Sequence, residues 1–344
     1  MSMKKSFVAQ SQWVKKIVVL DLGFLGDTIH LLPALWMIHQ NYPHAKIDVV
    51  VSTQVTSLFD VVPWINRAWA YMRYPRHATF LENIQFIRDM RREKYDLLIN
   101  LNGSDRSYFL SYFMGAKLSL GKISEKTRWL RKNIFDETVH YVTNEKPVYL
   151  QRCEALKKVG FKYHKPEFHI KVLPQHFAMT GLRTKDQYQY IHISPFTTLD
   201  SKELSFEQMN DLMNGLHQRW PQQKIIFTCG PNQREINKMK QLVNFLDVKP
   251  WKIFPGTLKL PALVALMKYA SLHLSGDTGT VHIARMLNIY SVAWFRDLKI
   301  SKAWIPDNQN SKVFAPKILS HNMEKVEIPD LMKIIKILVP KKVM

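Results

Sequence analysis

At 344 residues and 46% apolar content the chain can bury a large core, and chains beyond about 250 to 300 residues usually divide into two domains. The 49 Lys and Arg against 28 Asp and Glu leave a formal net charge of +21, a field that attracts nucleic acid, an anionic membrane surface or a phosphorylated substrate. No helix-turn-helix, zinc-finger or RNA-reading signature accompanies that charge, which sets nucleic acid aside, and Cys153 and Cys229 stand apart with no CxxC or Cys/His cluster, which indicates neither a disulfide framework nor a zinc site.

The opening segment Met1 to Gln10 lacks the form of a signal peptide, and no run of about 18 uncharged apolar residues follows anywhere. Lys16 to Leu22 is a β-branched run that stops at Gly23, as a buried parallel strand entering a loop does. A helix is predicted from near Asp27, with Ile29, Leu32, Leu35, Trp36 and Ile38 at helical spacing, until Asn41-Tyr42-Pro43 ends it. Ile47 to Val51 reads as a strand, Leu81 to Arg92 as a helix and Asp96 to Leu101 as a strand. This βαβαβ order implies a parallel sheet covered on both faces. Lys117 to Lys132 gathers Lys117, Lys122, Lys126, Arg128, Arg131 and Lys132 around Trp129 and reads as an exposed basic loop. After a helix over Val148 to Val159, the weakly periodic, Pro- and His-rich stretch Phe161 to Asp186 is placed as the linker.

A second alternating series begins with the strand Tyr190 to Ser194. Ser205 then has the position of an N-cap with Gln208 three residues on, a capping-box spacing. Strand Lys224 to Cys229, a helix from Asn232 to Phe245, a short strand over Trp251 to Phe254 and a helix from Pro261 come next. Strand Leu272 to Ser275, a helix over Thr280 to Leu287 and strand Ser291 to Phe295 complete the series. Domains are expected over 1–165 and 186–325, with a C-terminal helix over 326–344 that could pack back on the N-terminal domain.

In open α/β sheets ligands bind beyond the carboxyl ends of the strands. Gly23-Phe24-Leu25-Gly26-Asp27 sets a carboxylate there; Asp27 could take a proton from a sugar hydroxyl or simply cap its helix. Ser275-Gly276-Asp277-Thr278-Gly279-Thr280-Val281-His282 joins a strand to a helix with the glycines and threonines of an anion site, or of an ordinary turn. His282 could face the ligand or the core. Thr197-Thr198-Leu199-Asp200-Ser201-Lys202 offers hydroxyls and an ammonium for phosphate, in a chain with many lysines. Glu235 lies beyond a strand end, where it could grip ribose hydroxyls or face solvent. No G-x-x-x-x-G-K-[ST], G-x-G-x-x-G or G-x-S-x-G occurs, which disfavours P-loop, dinucleotide-binding and hydrolase readings.

Taken in order, the segments Leu25-Gly26-Asp27-Thr28-Ile29-His30-Leu31-Leu32-Pro33, Tyr42-Pro43-His44-Ala45-Lys46-Ile47-Asp48, Tyr95-Asp96-Leu97-Leu98-Ile99-Asn100-Leu101, Thr197 to Lys202, Gly230-Pro231 with Glu235, Phe254-Pro255-Gly256-Thr257 and Asp277 to Ala284 resemble the lipopolysaccharide core heptosyltransferases. The resemblance spans most of the chain and implies a GT-B fold, two Rossmann-like doubly wound α/β domains facing across a cleft. It implies an inverting, metal- and cofactor-independent transfer of heptose from ADP-L-glycero-D-manno-heptose to a phosphorylated, lipid-linked core oligosaccharide. Asp27 would be the base. Thr197, Thr198, Lys202, Asp277, Thr278, Gly279 and His282 would hold the donor, and Glu235 its ribose. Lys122, Arg128, Arg131 and Lys132 would meet the acceptor, with the enzyme cytoplasmic and docked on the anionic inner-membrane surface. Two departures stand out: position 21 is Asp where the family often carries Lys or Arg, and the family's Lys-x-Trp-Pro is Lys202-Glu203-Leu204-Ser205 here. A transferase of the same fold with another sugar or a protein acceptor, or a non-catalytic nucleotide-sugar-binding protein, are the competing readings.

Overall fold

The computed structural model describes residues 6–73, 76–123, 133–140, 146–162, 165–305, 308–316 and 323–339. The chain divides into two compact units, Met1–Lys171 and Val172–Met344. Each is built on a six-stranded sheet, and every strand pair in both is parallel.

In the first unit the strands are β1 Lys16–Leu20, β2 Lys46–Ser52, β3 Arg67–Tyr71, β4 Leu97–Asn100, β5 Leu118–Ile123 and β6 Glu137–His140, in the order β3-β2-β1-β4-β5-β6. Val19 pairs with Val49 on one side and Ile99 on the other, so the β-branched run read from sequence lies at the centre, buried on both faces. The order reverses between β1 and β4, and that switch point opens a crevice at the carboxyl edge where Asp27 stands. The second unit repeats the plan with β7 Tyr190–Ser194, β8 Lys224–Cys229, β9 Lys252–Pro255, β10 Leu272–Gly276, β11 Ser291–Trp294 and β12 Ser311–Phe314, in the order β12-β11-β10-β7-β8-β9. Its switch point lies between β7 and β10, the strands that lead into the Thr197 and Asp277 loops.

Local signals explain most helix starts. Ser205 and Gln208 form the anticipated capping box, Oγ accepting from the Gln208 N–H at 3.1 Å while Gln208 Oε1 accepts from the Ser205 N–H at 2.9 Å. Asn232 caps the helix Gln233–Phe245 through Glu235 N–H at 2.9 Å.

One expectation is corrected. The stretch from Lys117, read as a basic loop, becomes strand β5, because Leu118, Leu120 and the small Gly121 let it pair with β4 and carry its lysines along the sheet; Arg128, Arg131 and Lys132 lie outside the described residues. The helix Asp105–Met114, unmarked by sequence periodicity, forms behind a Ser104 cap at 3.3 Å to the Ser107 N–H. The C-terminal helix, Ile328–Leu338, packs within the second unit. Leu331, Met332 and Ile335 are buried with Leu212 and Leu216 of the helix Phe206–Arg219 in the second unit's own core.

Candidate active site

Asp27 occupies the third position of the helix Leu25–Asn41, where its Oδ2 accepts the Phe24 N–H at 3.0 Å. The capping role is therefore real, and the other carboxylate oxygen leaves it compatible with chemistry. Gly23 is required by proximity: a Cβ there would fall 2.2 Å from Asp27 Cβ. Burial pushes the Asp27 carboxyl above the ordinary range, the Asp21 charge adds to that, and Arg152, the Phe24 N–H and Arg73 oppose it.

Asp21 is wholly buried, and its counter-ion comes from far along the chain. Arg152, on the helix Val148–Lys158, places Nη2 2.6 Å from Asp21 Oδ2, with side chains 6% and 0% exposed. Its Nη1 donates to the Asp27 carbonyl at 2.6 Å. Asp21 Oδ1 accepts from Gly23 N–H at 2.9 Å and from Asn102 Nδ2 at 3.2 Å. A positive charge thus reaches the crevice although position 21 is acidic. Lys122 joins the same cluster; burial and the neighbouring Arg152 lower its pKa, with Asp21 and Asp27 pulling the other way. Arg73 donates to the Leu22 carbonyl and lies 5.2 Å over the exposed Phe24 ring.

In the second unit the Thr197 and Asp277 loops meet. Lys202 Nζ stands 2.5 Å from Asp277 Oδ2, both partly exposed. Gly276 permits the approach, since a Cβ there would lie 2.9 Å from Trp294 Nε1 and 3.0 Å from the Lys202 carbonyl. A cavity of about 50 Å³ opens between Lys202, Asp277, Trp294, Phe295, Arg296 and Met323. Trp294 Nε1 and Thr280 Oγ1, both buried, hold no hydrogen bond among the described residues. Thr278 precedes the helix Gly279–Leu287, whose first N–H groups and dipole favour an anion. His282 is buried against Trp304 with ring centroids 5.7 Å apart, and burial drives its pKa to about 4, so it is uncharged at neutral pH.

Thr197 is buried and its hydroxyl is committed locally, donating to the Leu199 carbonyl at 2.8 Å and accepting the Leu199 N–H at 3.1 Å, whereas Thr198 is exposed. The loop is fixed by Glu203, whose Oε1 accepts the Thr197 N–H at 2.9 Å and which is paired with Arg234 at 2.7 Å and Lys238 at 2.6 Å. Glu235 is buried, not solvent-facing: its Oε2 accepts the Gly230 N–H and its Oε1 accepts from Asn232 Nδ2, each at 2.6 Å. Behind these loops a buried polar chain crosses three strands. Thr228 meets His192 at 2.8 Å, His192 meets His273 at 2.9 Å, and His273 meets Ser275 at 3.0 Å. The structure brings Lys202, Asp277, Thr278 and Gly279 together, with Thr197 and Thr198 in the loop that bears Lys202. Sequence reasoning missed Arg152, Glu203, Trp294 and Arg296; only Asp21 carried a signal, as a departure from the family pattern.

Glycosyltransferase family 9 (heptosyltransferase) matches residues 84–332. The lipopolysaccharide core heptosyltransferase OpsX of Haemophilus influenzae is 22% identical over 275 residues, covering 78% of this chain and 76% of its own. Among solved structures, a family 9 glycosyltransferase from Veillonella parvula superposes with a TM-score of 0.79 at 18% identity, over 94% of this chain and 97% of that one. The Escherichia coli heptosyltransferase WaaC, solved with ADP-2-deoxy-2-fluoro heptose, gives 0.75 at 18% identity over 94% and 100%. These likenesses extend through both units and show the GT-B fold. With a family match across most of its length, this chain is a glycosyltransferase and belongs to glycosyltransferase family 9, the heptosyltransferases.

Proposed function

We propose that this enzyme transfers heptose from ADP-L-glycero-D-manno-heptose to the inner core of lipopolysaccharide, with inversion and without a metal. The observation that carries the reading is the Lys202–Asp277 pair beside a helix N-terminus at the second unit's switch point. The WaaC structure with an ADP-heptose analogue and the relatives' activity on lipopolysaccharide core support the choice of donor and acceptor.

In this mechanism Lys202 and the N–H groups that open the helix Gly279–Leu287 stabilise the negative charge that grows on the departing diphosphate. Thr198, Thr278 and Gly279 hold the phosphates, and Asp277 shares Lys202 with the donor. Glu235 shapes the ribose side. Asp27 accepts the acceptor hydroxyl proton as that oxygen forms its bond to the anomeric carbon and ADP leaves from the opposite face. A raised carboxyl pKa suits this role, because it makes the carboxylate a stronger base. Lys122 and Arg152 give the Asp27 crevice a positive side for an acidic, phosphorylated acceptor. The enzyme works on the cytoplasmic face of the inner membrane; among the described residues no helix is long and apolar enough to cross it.

The test is product analysis by mass spectrometry, with ADP-heptose, other ADP-sugars and UDP-sugars offered against a set of truncated core acceptors. A product heavier by one heptose, formed only with ADP-heptose, supports the proposal. Turnover with another donor alone, or with a protein acceptor alone, contradicts it.

A further inference from the structure

Among the described residues, two helices of the first unit expose an apolar face. Phe80–Arg92 and Asp105–Met114 pack side by side over one face of the sheet, where Phe86, Ile87, Met90, Tyr108, Leu110 and Met114 share a core. Near their starts Arg106 Nη1 meets His77 Nδ1 at 3.1 Å, and at their ends Arg91 lies beside Gly115, so the two run parallel. Their outer sides carry Phe80, Leu81, Ile84, Phe109, Tyr112 and Phe113, exposed by 38% to 77%. Phe109, Tyr112 and Phe113 form one stripe at helical spacing, with ring centroids 4.7 and 5.0 Å apart. Large apolar side chains gathered this way on a surface mark a binding site.

Cations share the face. Arg88, Arg91 and Arg92 are exposed along the first helix, against two acidic members: Glu82 is paired with Arg76, and Asp89 is held by Gln85 and paired with Arg92, which leaves Arg88 and Arg91 as the helix's excess charge. A second copy of the chain docked by a two-fold axis would bring these arginines against themselves. A bilayer with anionic headgroups satisfies both components at once, rings and leucine entering the interfacial layer while arginines meet phosphate.

We propose that the outer face of these two helices docks the enzyme on an anionic lipid bilayer, a deepening that rests on the membrane-surface reading above. Phe80 and Leu81 open a helix that follows β3, so they lie on the same carboxyl edge of the sheet as Asp27. Docking by this face therefore delivers a lipid-anchored acceptor to the edge where the base stands.

The test is vesicle sedimentation with full-length protein on phosphatidylcholine, with and without phosphatidylglycerol. The comparison is between wild type, the triple variant Leu81→Ser, Phe109→Ser, Tyr112→Ser, and a second triple variant Arg88→Ser, Arg91→Ser, Arg92→Ser. Wild type is expected on the anionic vesicles only. The apolar variant should bind at least about tenfold more weakly and the arginine variant roughly a hundredfold, at about fivefold per arginine. Both should keep wild-type transfer to a water-soluble, delipidated acceptor, since every changed side chain is exposed. Wild type bound while both variants bind equally well overturns this surface and leaves the membrane reading standing. Wild type that fails to bind anionic vesicles overturns both. A wild-type dimer in light scattering that the apolar variant loses assigns the face to a second copy and overturns the proposal.

Discussion

Lys202 and Asp277 stand 2.5 Å apart, so the ammonium proposed for the donor diphosphate has a carboxylate partner. Both side chains are partly exposed, and the pair is consequently worth little to stability. Its consequence is for binding, because the diphosphate must share Lys202 with Asp277. Asp277→Asn should therefore bind ADP a few-fold more tightly while transfer falls. Lys202→Met should weaken ADP binding about tenfold, the size of one charge-assisted contact. Titration calorimetry with ADP, beside initial rates, checks both.

The acid limb of kcat/KM reports the Asp27 carboxyl in the free enzyme. Burial and Asp21 raise its pKa, so the limb lies above the pH at which an ordinary aspartate ionises, and activity rises with pH through it. Asp21→Asn removes a charge that raises the pKa and frees Arg152 to lower it. The limb should move to lower pH, and a pH–rate profile of the variant checks the direction.

The Asp21–Arg152 pair is nearly solvent-free, so losing one partner strands a buried charge. Arg152→Met should destabilise the first unit by about 3–5 kcal/mol. The double variant with Asp21→Asn should recover much of that loss. Denaturant melts of the three variants measure the coupling.

Three buried histidines make the second unit sensitive to acid. Burial depresses His192 to about 3 and His282 to about 4, and holds His273 well below its ordinary value. Their folded pKa values lie below the unfolded one of about 6.5, so the unfolded chain binds more protons in between. Stability is full above about pH 6.5 and is lost as pH falls towards 4, on the order of 3 kcal/mol for His282. His282→Gln should flatten the fall in melting temperature over this window.

Periodic, apolar elements were legible in the sequence because the signal is local. Strands Tyr190–Ser194 and Lys224–Cys229 and the Ser205–Gln208 capping box lie where pattern placed them. The two edge strands of the first sheet were not legible: Arg67–Tyr71 and Glu137–His140 are partly exposed and mix charge with apolar residues. The same holds for β5, whose lysines masked the alternation of Leu118 and Leu120. In the site, Asp27 and Asp277 could be singled out because they follow strand ends beside glycines, and Lys202 because it follows a strand end among Thr and Ser hydroxyls. Arg152 could not, since it lies 125 positions from Asp27 and only folding joins them. Glu203, Arg234 and Lys238 likewise look like surface charges until the Thr197 loop closes over them.

The most direct measurement of the central claim compares Asp27→Asn with wild type in transfer from ADP-heptose and in ADP binding. The substitution keeps shape and removes the base, so transfer should fall by about 10²–10⁴ while ADP affinity stays within about twofold. Transfer near the wild-type rate would contradict the assignment of Asp27 as the group that deprotonates the acceptor.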